Sequence, residues 1–590
     1  MKTLAVLFVL ASACLAQSDN RYCTAANTWI GTTASNPVMY DGPAALPKLC
    51  FNTDPANTPS PGPVVNVAAG QNLQNAYNAA ACGTTLLLAH GAKWDDPFTF
   101  AAKNCDDQHW ITIKSDGLIT PPGMRITPEY EPQMANLNMK TNSGLKAVGD
   151  HIRFIGIEWT KGKAGIFYFL PALLKGSNKI IFDRNVVHCN AREECQHGIT
   201  VNTGKYIAVI DSWMDEFHCI AGTGACVDSQ AISGGTSAEG SVMDSGPVKI
   251  VNNFLEASTE NILFGGAIAD GPGPQNVEIR RNYLYKDPKW NPADPNFVGI
   301  KYIVKNCFEL KNGLAILVEG NVCENNWGGY TQAGIAVLLT PKNQAGTGKT
   351  NLCPLCEISD VTFRYNLIHT AGGFITIASG PNDNGQYCKG QHRTSIHDNI
   401  ADNLQYPGCF ACNRLLMQIG STYSSANVPA DDEILSDVLF RNNSMIAVSI
   451  PEGGISGMTT VSGPPPNVAT VQVSNVAFVN NISSTLANGM YSPGGGADDC
   501  ATSYYAKPNN PATIWKTCMV GTSPFSGNVL VGNTLSLAKW PADNLFSPDW
   551  PGVGFADFAN GVYVIRASSP YAGKGPNVDL VMQATFGVKP

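Results

Sequence analysis

Lys305, Cys307, Glu309 and Lys311 alternate with Phe308 and Leu310. If the two apolar residues of a strand point inward, the other four share its outer face, because successive side chains point to opposite sides. Two lysines flanking a glutamate are ingredients for proton transfer. A lysine crowded by other cations has its pKa lowered, so Lys305 or Lys311 is expected to accept a proton at mild pH. A second set, Arg280, Glu319 and Arg364, occupies one position in successive copies of a repeat and is expected to stack on an outer face. A guanidinium fork matches a carboxylate in two hydrogen bonds and would stabilise enolate-like charge. The competing reading of that column is an ion-pair ladder keeping a long sheet soluble. His397 continues the column, and with Trp290, Trp327 and Gln332 it completes the candidate binding residues, the tryptophans as stacking platforms.

Acidic residues supply two further readings. Asp228, Glu256 and Glu260 offer oxygens of the kind calcium takes. Two of Glu309, Glu319, Glu324 and Asp228 would serve a hydrolytic acid–base pair. Between Arg280 and Lys311 seven cations face three carboxylates, in a chain whose net charge is -8. That contrast favours a polyanionic ligand at this segment, while the overall charge argues against nucleic acid or an anionic membrane. Nothing resembles a Ser-His-Asp set, a phosphate loop or a dinucleotide fingerprint.

The elements that must position these residues repeat. In Val361–Ile368, apolar residues stand five and three positions before Asn366 and two after it. The figure recurs around Asn185, Asn253, Asn282, Asn321, Asn399, Asn443, Asn481 and Asn533, with weaker copies at Ile157 and Ser212. A constant unit with variable joints reads as a solenoid. Period-two alternation rich in Val, Ile and Phe makes each unit a strand. Asparagine tolerates left-handed backbone and bonds locally, so it is expected to turn the chain and to stack from coil to coil. The expected interior column is Phe182, Ile250, Ile279, Val318, Phe363, Ile396, Phe440 and Phe478.

Residues 1–16 read as a secretory signal peptide cleaved after Ala16, since Ala11-Ser12-Ala13-Cys14 lacks the branched residue of a lipid-anchor box. Later apolar runs fall short of the ~18 residues a membrane span needs. Export places the remaining cysteines in an oxidising compartment, where Cys82 with Cys105, Cys189 with Cys195, Cys219 with Cys226 and Cys500 with Cys518 are candidate disulfides. Cys353-Pro-Leu-Cys356 and Cys409-Phe-Ala-Cys412, with Cys388 and His392, pose zinc as the alternative, which export and the long gap between the pairs disfavour. Residues 17–62 read as an irregular arm and 63–590 as the repeat domain.

A short amphipathic helix at 68–76, then Gly83-Thr84-Thr85-Leu86-Leu87-Leu88-Ala89-His90-Gly91 and Trp110-Ile111-Thr112-Ile113, resembles the cap and first coils of secreted right-handed parallel β-helix proteins of the pectin-lyase-like superfamily. The resemblance implies an all-β solenoid with an N-terminal capping helix. It also implies a polysaccharide ligand, cleaved in many members by β-elimination, with calcium a common aid. A fold does not choose an activity. The expectation is a secreted, extracellular or periplasmic monomer that cleaves a uronic-acid-containing polysaccharide. In it Lys305 or Lys311 is the base, and Arg280 and Arg364 hold the carboxylate. The alternatives are a glycoside hydrolase of the same fold and a non-catalytic binding or adhesion protein.

Overall fold

The computed structural model describes residues 40–141, 145–165, 176–222, 224–237, 245–329, 333–342, 352–381, 385–421, 429–449, 457–462, 473–491 and 510–590. The expected signal segment with Cys14, and also Gln332 and Cys500, lie outside them. The chain winds as a parallel β-helix whose coils build two sheets of fourteen strands and one of nine, with every neighbouring pair in the three parallel. One coil runs Val248–Val251 in the first sheet, Phe254–Ala257 in the second and Glu260–Phe264 in the third. The next runs Gln275–Arg280, Tyr283–Tyr285 and Phe308–Leu310.

The asparagines form a ladder at the turn between the first and second sheets. Asn282 donates through Nδ2 to Asn321 Oδ1 at 3.0 Å, its backbone N–H reaches the same oxygen at 2.9 Å, and Nδ2 also reaches the Ile250 carbonyl at 2.9 Å. The relay continues through Asn366, Asn399, Asn443, Asn481, Asn528 and Asn544. Ser212 takes a rung in place of asparagine, its hydroxyl accepting from Asn185 N–H. Two expectations are corrected. The left-handed residue of each turn is the one before the ladder asparagine, such as Arg281 at φ 56° and Tyr365 at φ 55°. The copy expected at Asn533 is centred on Asn528, while Asn533 caps a local loop through Leu535 and Trp540.

The eight expected core residues lie in one buried column, with Val209 between Phe182 and Ile250. The helix Leu73–Ala79 stands near the start, with Leu73 and Tyr77 in the same core. Among the described residues six disulfides join neighbouring cysteines: Cys82–Cys105, Cys189–Cys195, Cys219–Cys226, Cys307–Cys323, Cys353–Cys356 and Cys409–Cys412. Each Cys-x-x-Cys pair therefore closes on itself and leaves no thiolates to share a zinc ion. Cys518 is also disulfide-bonded, and the buried Cys388 donates through Sγ to the Pro341 carbonyl at 3.2 Å. Cys307, expected on the outer face, packs in the core.

The first described residues and the C-terminal segment both lie over the outside of the coils. Phe51 of the arm packs on Trp110, Ile181, Ala208 and Val251, the last three from first-sheet strands. The last strand of the second sheet is Leu545–Ser547. Beyond it the chain folds back, with Val588 packed against Phe254, Tyr283 and Val322 of the second sheet.

Candidate active site

The register divides the expected site residues between three faces. Arg280, Glu319, Arg364 and His397 are adjacent in the first sheet. The arm covers this face. Arg280 is 1% exposed and bonds Glu278, whose other oxygen lies 3.3 Å from Lys249 Nζ. Arg364 bridges Glu319 at 2.8 Å and Asp41 of the arm at 2.5 Å, and Asp41 also meets His397 Nε2 at 2.9 Å. Burial alone would raise the Asp41 pKa, but His397 and Arg364 lower it to about 2 from 3.8. The column is an ion-pair network fastening the arm, so these guanidinium groups already hold protein carboxylates.

Because the folded-state pKa of Asp41 lies below its ordinary value, its ionised form stabilises the fold above pH ~4, by roughly 2 kcal/mol, and this contribution is lost as pH falls through about 2. Asp41→Asn is accordingly expected to melt below the parent protein at pH 6. The two melting curves should converge as the pH approaches 2. A gap unchanged across that range would show that the carboxylate's charge does not fasten the arm.

Glu324 lies on the second sheet, where it bonds Tyr283 and Lys589, away from Glu309. Trp290 and Trp327 are 4% and 1% exposed and pack with Tyr302, so neither offers a ring face to solvent. The cations between Arg280 and Lys311 disperse rather than form a patch: Arg281 binds the carbonyls of Ala584 and Phe586, and Lys286 is buried.

The third sheet is where candidate residues converge. Gln230 and Glu260 are register neighbours, and Glu309 lies one coil on, in line with Leu263. Glu260 accepts from Gln230 Nε2 at 2.7 Å and lies 3.3 Å from Lys305 Nζ, which meets Asp228 at 2.5 Å. Lys311 Nζ stands 3.1 Å from Glu309, whose carboxyl lies beside that of Glu260. Glu260 and Glu309 are fully buried, Lys305 and Lys311 nearly so, and Asp228 forms the accessible edge. The side chain of Lys311 crosses Gly265 and Gly266, at φ +96° and +90°. A Cβ on Gly265 would lie 2.8 Å from Lys311 Cβ, so glycine there serves both the left-handed backbone and the lysine's passage.

Burial and arrangement split the two carboxyls. Burial raises Glu309, Lys311 opposes it and Glu260 adds to it, leaving the group at about 7. Burial would raise Glu260 too, but Lys305 and Lys311 outweigh it and hold it low. The lysines behave opposite to expectation. Burial lowers both, yet Glu260 and Asp228 at Lys305, and Glu309 at Lys311, raise them overall. Carboxylates of earlier coils face Lys305 and Glu309 of its own coil faces Lys311, so both stay protonated. The arrangement supplies two fixed cations, one ionised carboxylate and one carboxyl poised to exchange a proton near neutrality. His197, next in register to Gln230, is half-buried, and desolvation lowers its pKa to about 4, which keeps it neutral.

Calcium does not fit the three expected ligands. The ammonium of Lys305 sits between Asp228 and Glu260, where a divalent ion would have to lie, and Glu256 is on the second sheet, accepting the Glu216 N–H at 3.1 Å. Among the described residues, ligand atoms of Glu131, Glu158 and His188 fall within 4.8 Å of one another, but His188 Nε2 already bonds Glu158 there at 3.1 Å. Gln230 and Lys286, the latter treated below, were not singled out by the sequence. The Gly-Gly pair after strand Glu260–Phe264 was the available signal of a crowded partner.

No protein-family profile and no curated protein matches the chain. Solved structures of similar fold include the PL6 family alginate lyase AlyGC, at 12% identity over 89% of this chain and 59% of that one, TM-score 0.44. An alginate lyase from Paenibacillus sp. aligns at 15% identity over 61% of this chain and 99% of its own, TM-score 0.32. A GH87 alpha-1,3-glucanase from Streptomyces thermodiastaticus aligns at 10% identity over 75% and 72%, TM-score 0.38. At such identities the likeness concerns the course of the coils, and the chemistry rests on this chain's own residues.

Proposed function

We propose that the chain is a secreted carbohydrate-active enzyme that cleaves a uronic-acid-containing polysaccharide by β-elimination at the outer face of the third sheet. The observation that carries this reading is the Lys305–Glu260–Glu309–Lys311 cluster, in which a carboxyl poised near 7 lies between two protonated lysines. A substrate carboxylate entering at Lys311 would draw the ammonium from Glu309. Neutralising the uronate acidifies the hydrogen on C5, and Glu309, losing its cation, binds a proton more strongly. Ionised Glu309 then takes that proton as the C4–O bond breaks and the C4–C5 double bond forms. Water reprotonates the departing oxygen. The lysines thus take the carboxylate-binding role expected of Arg280 and Arg364, and a glutamate takes the base role expected of the lysines. Calcium is not required by this arrangement.

Glu260 and Glu309 hold different protonation states, the pattern of an acid–base pair. That favours hydrolysis as the second reading. The products decide. Purified protein incubated with uronic-acid and neutral glycans is expected to generate reducing ends together with ultraviolet absorbance of an unsaturated product, on a uronate glycan only. Reducing ends without absorbance would assign hydrolysis, and neither signal would leave a binding protein.

A further inference from the structure

Lys286 follows strand Tyr283–Tyr285 and is completely buried. Its Nζ lies 3.0 Å from the carbonyls of Ala257 and Ser258, 2.8 Å from that of Thr259, 3.1 Å from that of Asn306 and 3.4 Å from Asn261 Oδ1. An isolated buried charge is expensive, and a methionine would fill the same channel without that cost. Five converging oxygens, with no carboxylate in contact among the described residues, make this a cage for an ammonium, which has three protons to give. Burial draws Lys286 down to about 7, with Glu260 and Glu256 opposing the shift.

The position of the oxygens gives the cage its consequence. Ala257, Ser258 and Thr259 end the second-sheet strand and form the turn that delivers Glu260 to the third sheet. Asn306 immediately follows Lys305 and lies on the approach to Phe308–Leu310, which carries Glu309. One ammonium therefore ties adjacent coils at the point where the two halves of the cluster enter the sheet. We infer that Lys286 is a positioning residue of the third-sheet centre, setting the Glu260–Lys305 pair and through it the environment of Glu309 without touching substrate. This rests on the reading of that centre given above.

The test uses the full chain on a glycan the parent cleaves, with Glu309→Gln as reference. Lys286→Met, nearly isosteric and uncharged, is expected to stay folded by circular dichroism, to lose kcat by about 10²-fold with KM within about twofold, as a small misplacement of reacting groups does, and to shift the pH limb assigned to Glu309. In Lys286→Ala, n-propylammonium should restore part of kcat where n-propanol does not. A folded Lys286→Met with parental kcat and pH profile would overturn the inference. So would a variant that fails to fold below the parent's working temperature, or equal rescue by the alcohol, since either makes Lys286 structural packing. If Glu309→Gln itself keeps full turnover, the reading of the centre fails instead.

Discussion

Glu309→Gln is expected to lower kcat by about 10² to 10⁴, the range that loss of a positioned acid or base produces, while leaving the fold intact. The amide keeps the shape of the side chain and removes the group that exchanges a proton near neutrality. Folding should tolerate the change, because neither Glu309 oxygen completes a hydrogen bond of ordinary geometry and its nearest cation is Lys311 at 3.1 Å. Lys311 loses its nearest counterion but keeps the attraction of Glu260, so a measurable loss of stability should accompany the loss of turnover. Steady-state kinetics beside a thermal melt separate the two effects. Arg280→Gln gives the contrast. Arg280 bonds Glu278 beneath the arm on another sheet, so its loss should register in the melt and not in kcat.

The largest effect on stability is expected at Phe363→Ala, roughly 3 to 5 kcal/mol for a buried aromatic truncation. Phe363 stacks in the interior column between Val318 and Ile396 and faces Phe308 and Phe374 across the core. Neighbouring coils are fixed by parallel pairing, so the cavity cannot close by sliding one coil over another. Denaturant unfolding at pH 7 measures the loss. A cost under about 1 kcal/mol would mean that the coils repack freely and that the column is not the rigid element described here.

The solenoid was legible because its signals are local: alternating apolar residues declare an inward face, and an asparagine at fixed offset can bond its counterpart one coil away. The copy expected at Asn533 missed because Asn528 has apolar residues at the same offsets, three before and two after, so spacing alone does not separate them. Phe525, paired with Phe478, is what settles the register on Asn528. The outward column Arg280, Glu319, Arg364 and His397 was also legible as a column. Its fate was not, because whether a face stays open depends on where the distant residues Asp41 and Phe51 lie. The same limit reversed the lysines. Lys305 and Lys311 are close in sequence, which suggests that they depress each other, but Asp228 and Glu260 from earlier coils dominate at Lys305 and Glu309 dominates at Lys311. Lys286 looked like one surface cation among seven. Its cage is made mostly of backbone carbonyls, which no side-chain pattern announces.

The pH dependence of kcat/KM on a cleaved glycan tests the central claim most directly, that a carboxyl held near 7 on the third sheet performs the proton transfer. With Glu309 as base, activity should climb as the pH rises through about 7, because the ionised form is the working one. That limb should vanish from the residual activity of Glu309→Gln and survive in Arg280→Gln. A parent profile with no limb near 7, or one that persists unchanged in Glu309→Gln, would contradict the account and remove the reaction from this cluster.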